Sequence, residues 1–308
     1  MQQPLLAPGD VVDVVAPGFR CTPEQLAGGV AFLKRRGLVP RVSAELFGAD
    51  LLCANSDAQR FAQLRKALFA RDSRAIWCVR GGYGAIRIIE RLQALKAPRR
   101  SKLLIGYSDA TTLHQLLNLF WGWPSLHGPL LDRLGGAEVR DEERLELDAV
   151  LFGGAPLTTF ANLVPLNAAA RRRQRIVSRL TGGNLTVLQS TLGTALQRRP
   201  AAILVLEDIG ERGYRIDRIL EQMRQAGVLR NLKAVILGTF LGGAEVDGSN
   251  LGAAVLERFA GTVTIPVLAG MDTGHGPCQR PVFFHTRAEL QCGPDARLSV
   301  QTPSFARR

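Results

Sequence analysis

Leu103-Leu104-Ile105-Gly106-Tyr107-Ser108-Asp109-Ala110-Thr111-Thr112-Leu113-His114 is the stretch on which the reading of this chain turns. A run of apolar residues ends at Gly106, and a helix-competent segment begins just after Ser108. A short buried strand therefore feeds a helix through a tight turn. Hydrolases present a nucleophilic serine this way: the turn pushes the hydroxyl outward. The next amide, that of Asp109, is then placed to donate to a developing oxyanion. Taken alone, the same residues fit more readily a helix cap, with Ser108 bonding back to the first helical turn. Gly-x-Ser-x-Gly is not matched, because Ala110 stands where the second glycine would be.

Working outward, the flanking segments alternate. Residues 11–16 read as a first buried strand, and Thr22-Pro23-Glu24-Gln25 as a capping box with proline at the first helical position. Leu26, Val30 and Leu33 share one helical face, and Gly37 ends that helix. A strand near 38–43 follows, then a second box at Ser56-Asp57-Ala58-Gln59 with Phe61, Leu64 and Leu68 as its stripe. Strands at 75–79 and 102–106 enclose a helix at 84–95, and another helix falls at 141–151. Strands alternating with helices predict an α/β fold with a parallel sheet wrapped on both faces. Ligand sites in such sheets lie at the carboxyl ends of the strands, where Gly81-Gly82-Tyr83-Gly84 and Ser108 both fall. The texture changes at 153–175, with Gly-Gly, two prolines and Arg171-Arg172-Arg173-Gln174-Arg175. The expected division is residues 1–152, a linker at 153–177, and a mixed α/β domain over 178–308 with strand-like runs at 201–206, 234–239 and 263–268.

Composition limits the function classes. Net charge is +12, and lysine occurs only at 34, 66, 96, 102 and 233, leaving 34 of the 39 basic residues as arginine. The arginines are scattered and aromatics are only 6%, so the charge reads as a solvated surface rather than a nucleic-acid footprint. Five cysteines without a Cys-x-x-Cys pair argue against a disulfide framework and a structural zinc site. Asp10 and Asp13 interrupt the first apolar run, so no signal peptide is expected. Residues 110–131 and 149–170 lack charged side chains over membrane-spanning lengths, yet their Pro, Gly and polar residues mark buried elements and loops. A cytoplasmic protein is expected.

Arg80-Gly81-Gly82-Tyr83-Gly84 follows a strand and opens a helix, where phosphate loops sit, but it lacks the third glycine of Gly-x-Gly-x-x-Gly. Its glycines can bring backbone amides close to a ligand, as an oxyanion donor requires, or simply make a tight turn. No two of His114, His127, His275 and His285 have metal-ligand spacing. His275 lies in the glycine-flanked loop Asp272-Thr273-Gly274-His275-Gly276-Pro277, and Glu207 closes the apolar run Ile203–Leu206. Serine, acid, histidine is one of the chain orders that catalytic triads adopt. Strand alternation puts Glu207 on a buried face with Ile203 and Val205. It leaves Asp208 for the Gly210 turn and Glu211 facing solvent.

Five stretches in order resemble the LD-carboxypeptidase family of serine peptidases: Arg80-Gly81-Gly82-Tyr83-Gly84, Gly106-Tyr107-Ser108-Asp109, Gly182-Gly183-Asn184-Leu185, Leu206-Glu207-Asp208 with Tyr214–Arg218, and Gly274-His275-Gly276. The family includes muramoyltetrapeptide carboxypeptidases and microcin-C-immunity hydrolases, and the likeness runs from Ala16-Pro17 onward. It implies a flavodoxin-like N-terminal domain carrying Ser108 as nucleophile. It implies a C-terminal domain carrying Glu207 as orienting carboxylate and His275 as base, with the site between the domains. The amides of Asp109 and of Gly81 or Gly82 would form the oxyanion hole, and Arg80 is the candidate for binding the substrate carboxylate. The resemblance further implies a cytoplasmic homodimer that needs no metal or cofactor and acts on a muropeptide. The alternatives are a peptidyl-nucleotide hydrolase, with Trp121 or Trp123 stacking a base, and a non-catalytic ligand binder. The chain departs from the family's pattern at Cys278-Gln279-Arg280-Pro281-Val282-Phe283, where an asparagine and a Pro-Leu-Gly stretch are usual.

Overall fold

The computed structural model describes residues 3–136, 139–197, 200 and 202–306. They form two compact units, Met1–Pro156 with Arg280–Phe283 and Thr302–Arg308, and Leu157–Gln279 with Phe284–Gln301.

The first unit alternates β1 (Val11–Val15), α1 (Pro23–Arg35), β2 (Val39–Val42), α2 (Asp57–Phe69), β3 (Ser73–Cys78), α3 (Ala85–Gln93), β4 (Leu103–Gly106), α4 (Thr111–Leu116) and β5 (Ser125–His127), and closes with α5 (Leu131–Leu134) and α6 (Asp141–Leu151). The sheet runs β2-β1-β3-β4-β5 with parallel neighbours. This is the doubly wound, flavodoxin-like order, whose strands end at one ligand-binding edge. The strands read as nearly continuous apolar runs because both faces are covered. Trp77 in β3 is fully buried, meets Phe32 of α1 edge-on at 6.0 Å, and donates from Nε1 to the Pro129 carbonyl at 2.8 Å. Thr22 and Gln25 form the expected capping box, whereas Ser56 makes only the single bond to the Gln59 amide.

The second unit holds β6 (Leu157–Phe160), β7 (Val164–Pro165), α7 (Ala168–Arg171), β8 (Arg175–Asn184), α8 (Leu185–Ser190), β9 (Ala202–Ile209), α9 (Gly213–Gln225), β10 (Ala234–Leu241), α10 (Gly252–Thr262) and β11 (Val267–Ala269). After β12 (Val282–Phe284), which joins the first sheet beside β5, come β13 (Arg287–Gln291) and β14 (Arg297–Gln301). The eight-stranded sheet β6-β14-β13-β8-β9-β10-β11-β7 is parallel across β8 to β11 and antiparallel at its flanks. Buried Leu, Ile, Val and Met of β9, β10, α9 and α10 make its core.

Residues 153–177, expected as a linker, instead carry β6, β7, α7 and the start of β8. Thr158 pairs with Val300 and Pro165 with Leu268, partners more than a hundred residues away. Asn167 caps α7 and donates to the carbonyls of Ala260 and Ile265. The arginine run ends in β8, where Arg175 pairs bidentately with Glu289. The chain also returns to the first unit at Arg280–Phe283 and after Gln301, so the expected unbroken C-terminal domain over 178–308 is interrupted. Of the expected strand 201–206, residue 201 lies outside the described residues, and the expected strand at 263–268 begins only at Val267. No helix among the described residues is long and apolar enough to cross a membrane.

Candidate active site

In the first unit, β4 ends at Gly106, Tyr107 stays extended, and Ser108 adopts φ +63 before a short 3-10 turn leads into α4. A left-handed conformation in a non-glycine residue costs about 1–2 kcal/mol. The neighbours enforce it: Tyr107 and Asp109 are buried on either side, and Arg133 holds the Tyr107 hydroxyl at 2.8 Å. Neither the turn nor α4 has a side-chain cap, so the cap reading of Ser108 fails. The hydroxyl is instead held out on a strained elbow, at the carboxyl end of β4.

Gly81 approaches this elbow closely. A Cβ there would lie 2.7 Å from Ser108 Cβ and 2.9 Å from its Oγ, so only glycine lets this backbone sit beside the hydroxyl. The Gly81 carbonyl accepts from the Phe19 amide at 2.9 Å, and the Phe19 ring packs on Gly82. Asp109 turns its carboxylate inward, where Oδ2 accepts from the Ala85 amide at 2.9 Å at the start of α3. That ties the Ser108 elbow to the glycine loop. Arg80 bonds Gln25 Oε1 at 3.2 Å and lies 3.6 Å from buried Asp132.

Burial pushes the Asp109 carboxyl up to about 6, while the Ala85 and Gly84 amides and Arg60 pull it down. A carboxyl whose folded-state value exceeds its unfolded value binds its proton more tightly when folded. Stability therefore falls as pH rises from about 4 to about 6. At 1.36 kcal/mol per unit, this amounts to about 3 kcal/mol. Asp109→Asn keeps an acceptor for Ala85 and removes the titration. Its urea-unfolding free energy relative to wild type is expected to gain by about that amount between pH 4 and pH 7. Parallel curves would mean that Asp109 does not titrate in this range.

In the second unit, Glu207 lies near the carboxyl end of β9 with no exposed surface, and its Oε2 accepts from His275 Nδ1 at 2.7 Å and from the His275 amide at 3.2 Å. An ionised carboxylate only accepts, so the ring proton sits on Nδ1 and Nε2 is the basic nitrogen. Gly274 has φ +113, and a Cβ there would meet Glu207 Oε2 at 2.7 Å. This glycine lets the loop bring His275 onto the carboxylate. Asp208 points the other way, accepting from Asn184 Nδ2 at 3.0 Å and from the Thr186 amide and hydroxyl at 2.9 and 2.8 Å. It anchors α8 rather than the Gly210 turn. Glu211 is not solvent-facing, as its side chain is only 14% exposed and meets Arg215 at 2.5 Å.

The structure thus brings Ser108, Asp109 and Gly81 together in one unit, and Glu207 and His275 together in the other. His114 is structural: burial pulls it down to about 4, and it bonds Ser125 Oγ and the Gly106 carbonyl, both at 2.8 Å. Trp123 is buried and meets Trp121 edge-on at 5.1 Å, so it serves packing. Among the described residues, no group of three or more His, Cys, Asp or Glu side chains is arranged to hold a metal ion.

Two residues escaped sequence reasoning. Arg60, fully buried on α2, donates to the carbonyls of Asn55 at 2.9 Å, Gly84 at 2.8 Å and Pro17, and to Asp57 at 2.5 Å. It gathers the segments after β1, before α2 and after β3 around the glycine loop. Its signal was an arginine four residues before Leu64 on the buried stripe, which is centred on Arg60, Leu64 and Leu68 rather than on Phe61. Gln279, also buried, accepts from the Gly274 amide and so braces the His275 loop. The departure at 278–283 therefore has a structural role, which extends to Arg280, paired bidentately with Glu146 at 2.6 and 2.7 Å.

A doubly wound unit with a strained serine, and a second unit with a Glu-His pair, define a hydrolase-like α/β architecture. Residues 12–128 match the LD-carboxypeptidase N-terminal domain and residues 177–290 the LD-carboxypeptidase C-terminal domain, and the chain belongs to that family. A putative carboxypeptidase of Rickettsia conorii is 38% identical over 82% of this chain and 80% of its own. The murein tetrapeptide carboxypeptidase of Pseudomonas aeruginosa is 30% identical over 91% and 92%. Among solved structures, the muramoyltetrapeptide carboxypeptidase from Oxalobacter formigenes superposes with a TM-score of 0.80 at 25% identity, covering 96% of this chain and all of that one. The microcin C7 self immunity protein reaches 0.80 at 19% identity over 99% of both chains, a likeness of fold alone.

Proposed function

We propose that this chain is a serine carboxypeptidase that hydrolyses the amide between an L-centred residue of a murein tetrapeptide and its terminal D-alanine, in the cytoplasm and as a homodimer. The observation that carries the reading is the 2.7 Å bond from Glu207 Oε2 to His275 Nδ1, which leaves Nε2 as a base. Ser108 Oγ attacks the scissile carbonyl as Nε2 takes its proton. The amides of Asp109 and of Gly81 or Gly82 receive the oxyanion. Nε2 then protonates the leaving amine, D-alanine departs, and water hydrolyses the acyl-enzyme by the same route reversed. Glu207 stabilises the imidazolium formed in each half. Arg80 is the candidate fork for the terminal carboxylate. The chemistry is carried by side chains and amides and needs no metal or cofactor.

The test is incubation with a murein tetrapeptide and, separately, a peptidyl-nucleotide, with chelator present throughout and products read by mass. Release of D-alanine from the first alone is expected. Cleavage of only the second would move the protein to the peptidyl-nucleotide hydrolases, and cleavage of neither would make it a binder.

Gly81→Ala tests the oxyanion reading. The new methyl must push the loop away from Ser108, which is expected to lower kcat about 10²–10³-fold and stability by about 1–3 kcal/mol. A kcat within twofold of wild type would exclude Gly81 from the site.

A further inference from the structure

At the end of the first sheet opposite Ser108 lies a groove of about 980 Å³. It runs between the start of β1, the loop from α2 to β3 and the loop from α3 to β4. Six of its eighteen lining residues are cationic: Arg71, Arg74, Lys96, Arg99, Arg100 and Lys102. Over the whole chain the figure is 39 of 308, or about one in eight, so the groove is enriched about two and a half times over a chain that is already basic.

The local counter-charges do not absorb this. The groove's two acids are already engaged, Asp10 by the Ala7 amide at 2.8 Å and Asp72 by Arg41 at 2.8 Å. The carboxyl ends of α2 and α3 also point here, and each carries about half a negative charge. Buried Asp13, 3.9 Å from Lys102, is a third acid and is shared with Arg41, so seven cations against three acids and two helix ends leave an excess of about three positive charges. Lys96, Arg99 and Arg100 make no ion pair among the described residues. On the floor, buried Lys102 is held in place by the Ala67 carbonyl at 2.5 Å and Ser73 Oγ at 2.7 Å. Apart from Ser73 and Ser101, the remaining wall is apolar and includes exposed Phe69. An excess near three, presented largely as arginine forks, matches a ligand with two linked phosphates better than a lone carboxylate.

We propose that this groove binds a pyrophosphate-bearing ligand, with Arg99, Arg100 and Lys96 taking the phosphates and Phe69 covering any organic moiety. Free pyrophosphate and a nucleoside diphosphate share that chemistry, and the test separates them.

Isothermal titration at about 150 mM salt, where exposed pairs beyond roughly 8 Å are screened, would use inorganic pyrophosphate and ADP on the full chain. Both are expected to bind, and R99E/R100E to weaken each at least tenfold with an unchanged melting curve. If F69A weakens ADP alone, a nucleotide-like ligand is supported; if it changes neither, the phosphates alone are recognised. Three results would overturn the site: no binding of either probe at millimolar concentration, an equal loss from R287E/R297E on the second unit, or a decauridylate binding a hundredfold tighter than ADP. The last would make this a nucleic-acid surface.

Discussion

Ser108→Ala is expected to abolish turnover, with kcat lower by about 10⁶-fold, while the protein folds and melts as wild type. The hydroxyl lies on an elbow at φ +63 and caps neither the turn that follows nor α4. Its removal leaves no helix amide orphaned, so stability should move by less than about 0.5 kcal/mol. Ser108→Gly sharpens the test, because glycine relieves the left-handed strain. That variant should be equally inactive yet about 1 kcal/mol more stable. A structural serine would behave in the opposite way, losing about 0.5–2 kcal/mol on truncation while turnover persisted. The measurements are single-turnover rates beside urea-unfolding free energies.

Glu207→Gln should be severe, though less so than Ser108→Ala, and Asp208→Asn mild in chemistry, although the two carboxylates are adjacent. Glu207 Oε2 receives both the ring Nδ1 and the backbone amide of His275. A neutral amide there cannot stabilise the imidazolium, and in its other orientation it imposes the wrong tautomer. The comparable change in a serine protease costs about 10⁴-fold in kcat. Both oxygens of Asp208 are taken by donors from Asn184, Thr186 and its own neighbour Ile209. Exchanging one for an NH₂ opposes two donors and should cost about 1–3 kcal/mol of stability, with little change in the chemical step. Equal kcat losses, or a larger loss from Asp208→Asn, would remove Glu207 from its assigned role.

Much of this was legible locally. Strand alternation separated Glu207 from Asp208 because side chains on a strand point alternately to opposite faces. The capping box at Thr22 and the apolar runs of β1, β3 and β4 marked their elements within two residues. What local pattern could not supply was the partner of each polar group. Asp208 bonds Thr186, twenty-two residues earlier, and not the adjacent turn. Arg60 reaches the Pro17 and Gly84 carbonyls across separate loops.

By itself the sequence determined the alternation of strand and helix, the strand-to-helix turn at Ser108, and the order of serine, acid and histidine. These depend on periodicity and on neighbours within one or two turns of chain. Only the tertiary structure decided that Ser108 is a strained elbow and not a cap, since its φ is set by the packing of Tyr107 and Asp109. It alone turned residues 153–177 from a linker into edge strands, because their hydrogen-bond partners lie at 267–269 and 297–301. It alone showed that Gln279 braces the histidine loop. A buried amide or carbonyl must find a partner wherever the fold brings one, and distance along the chain does not record where that will be.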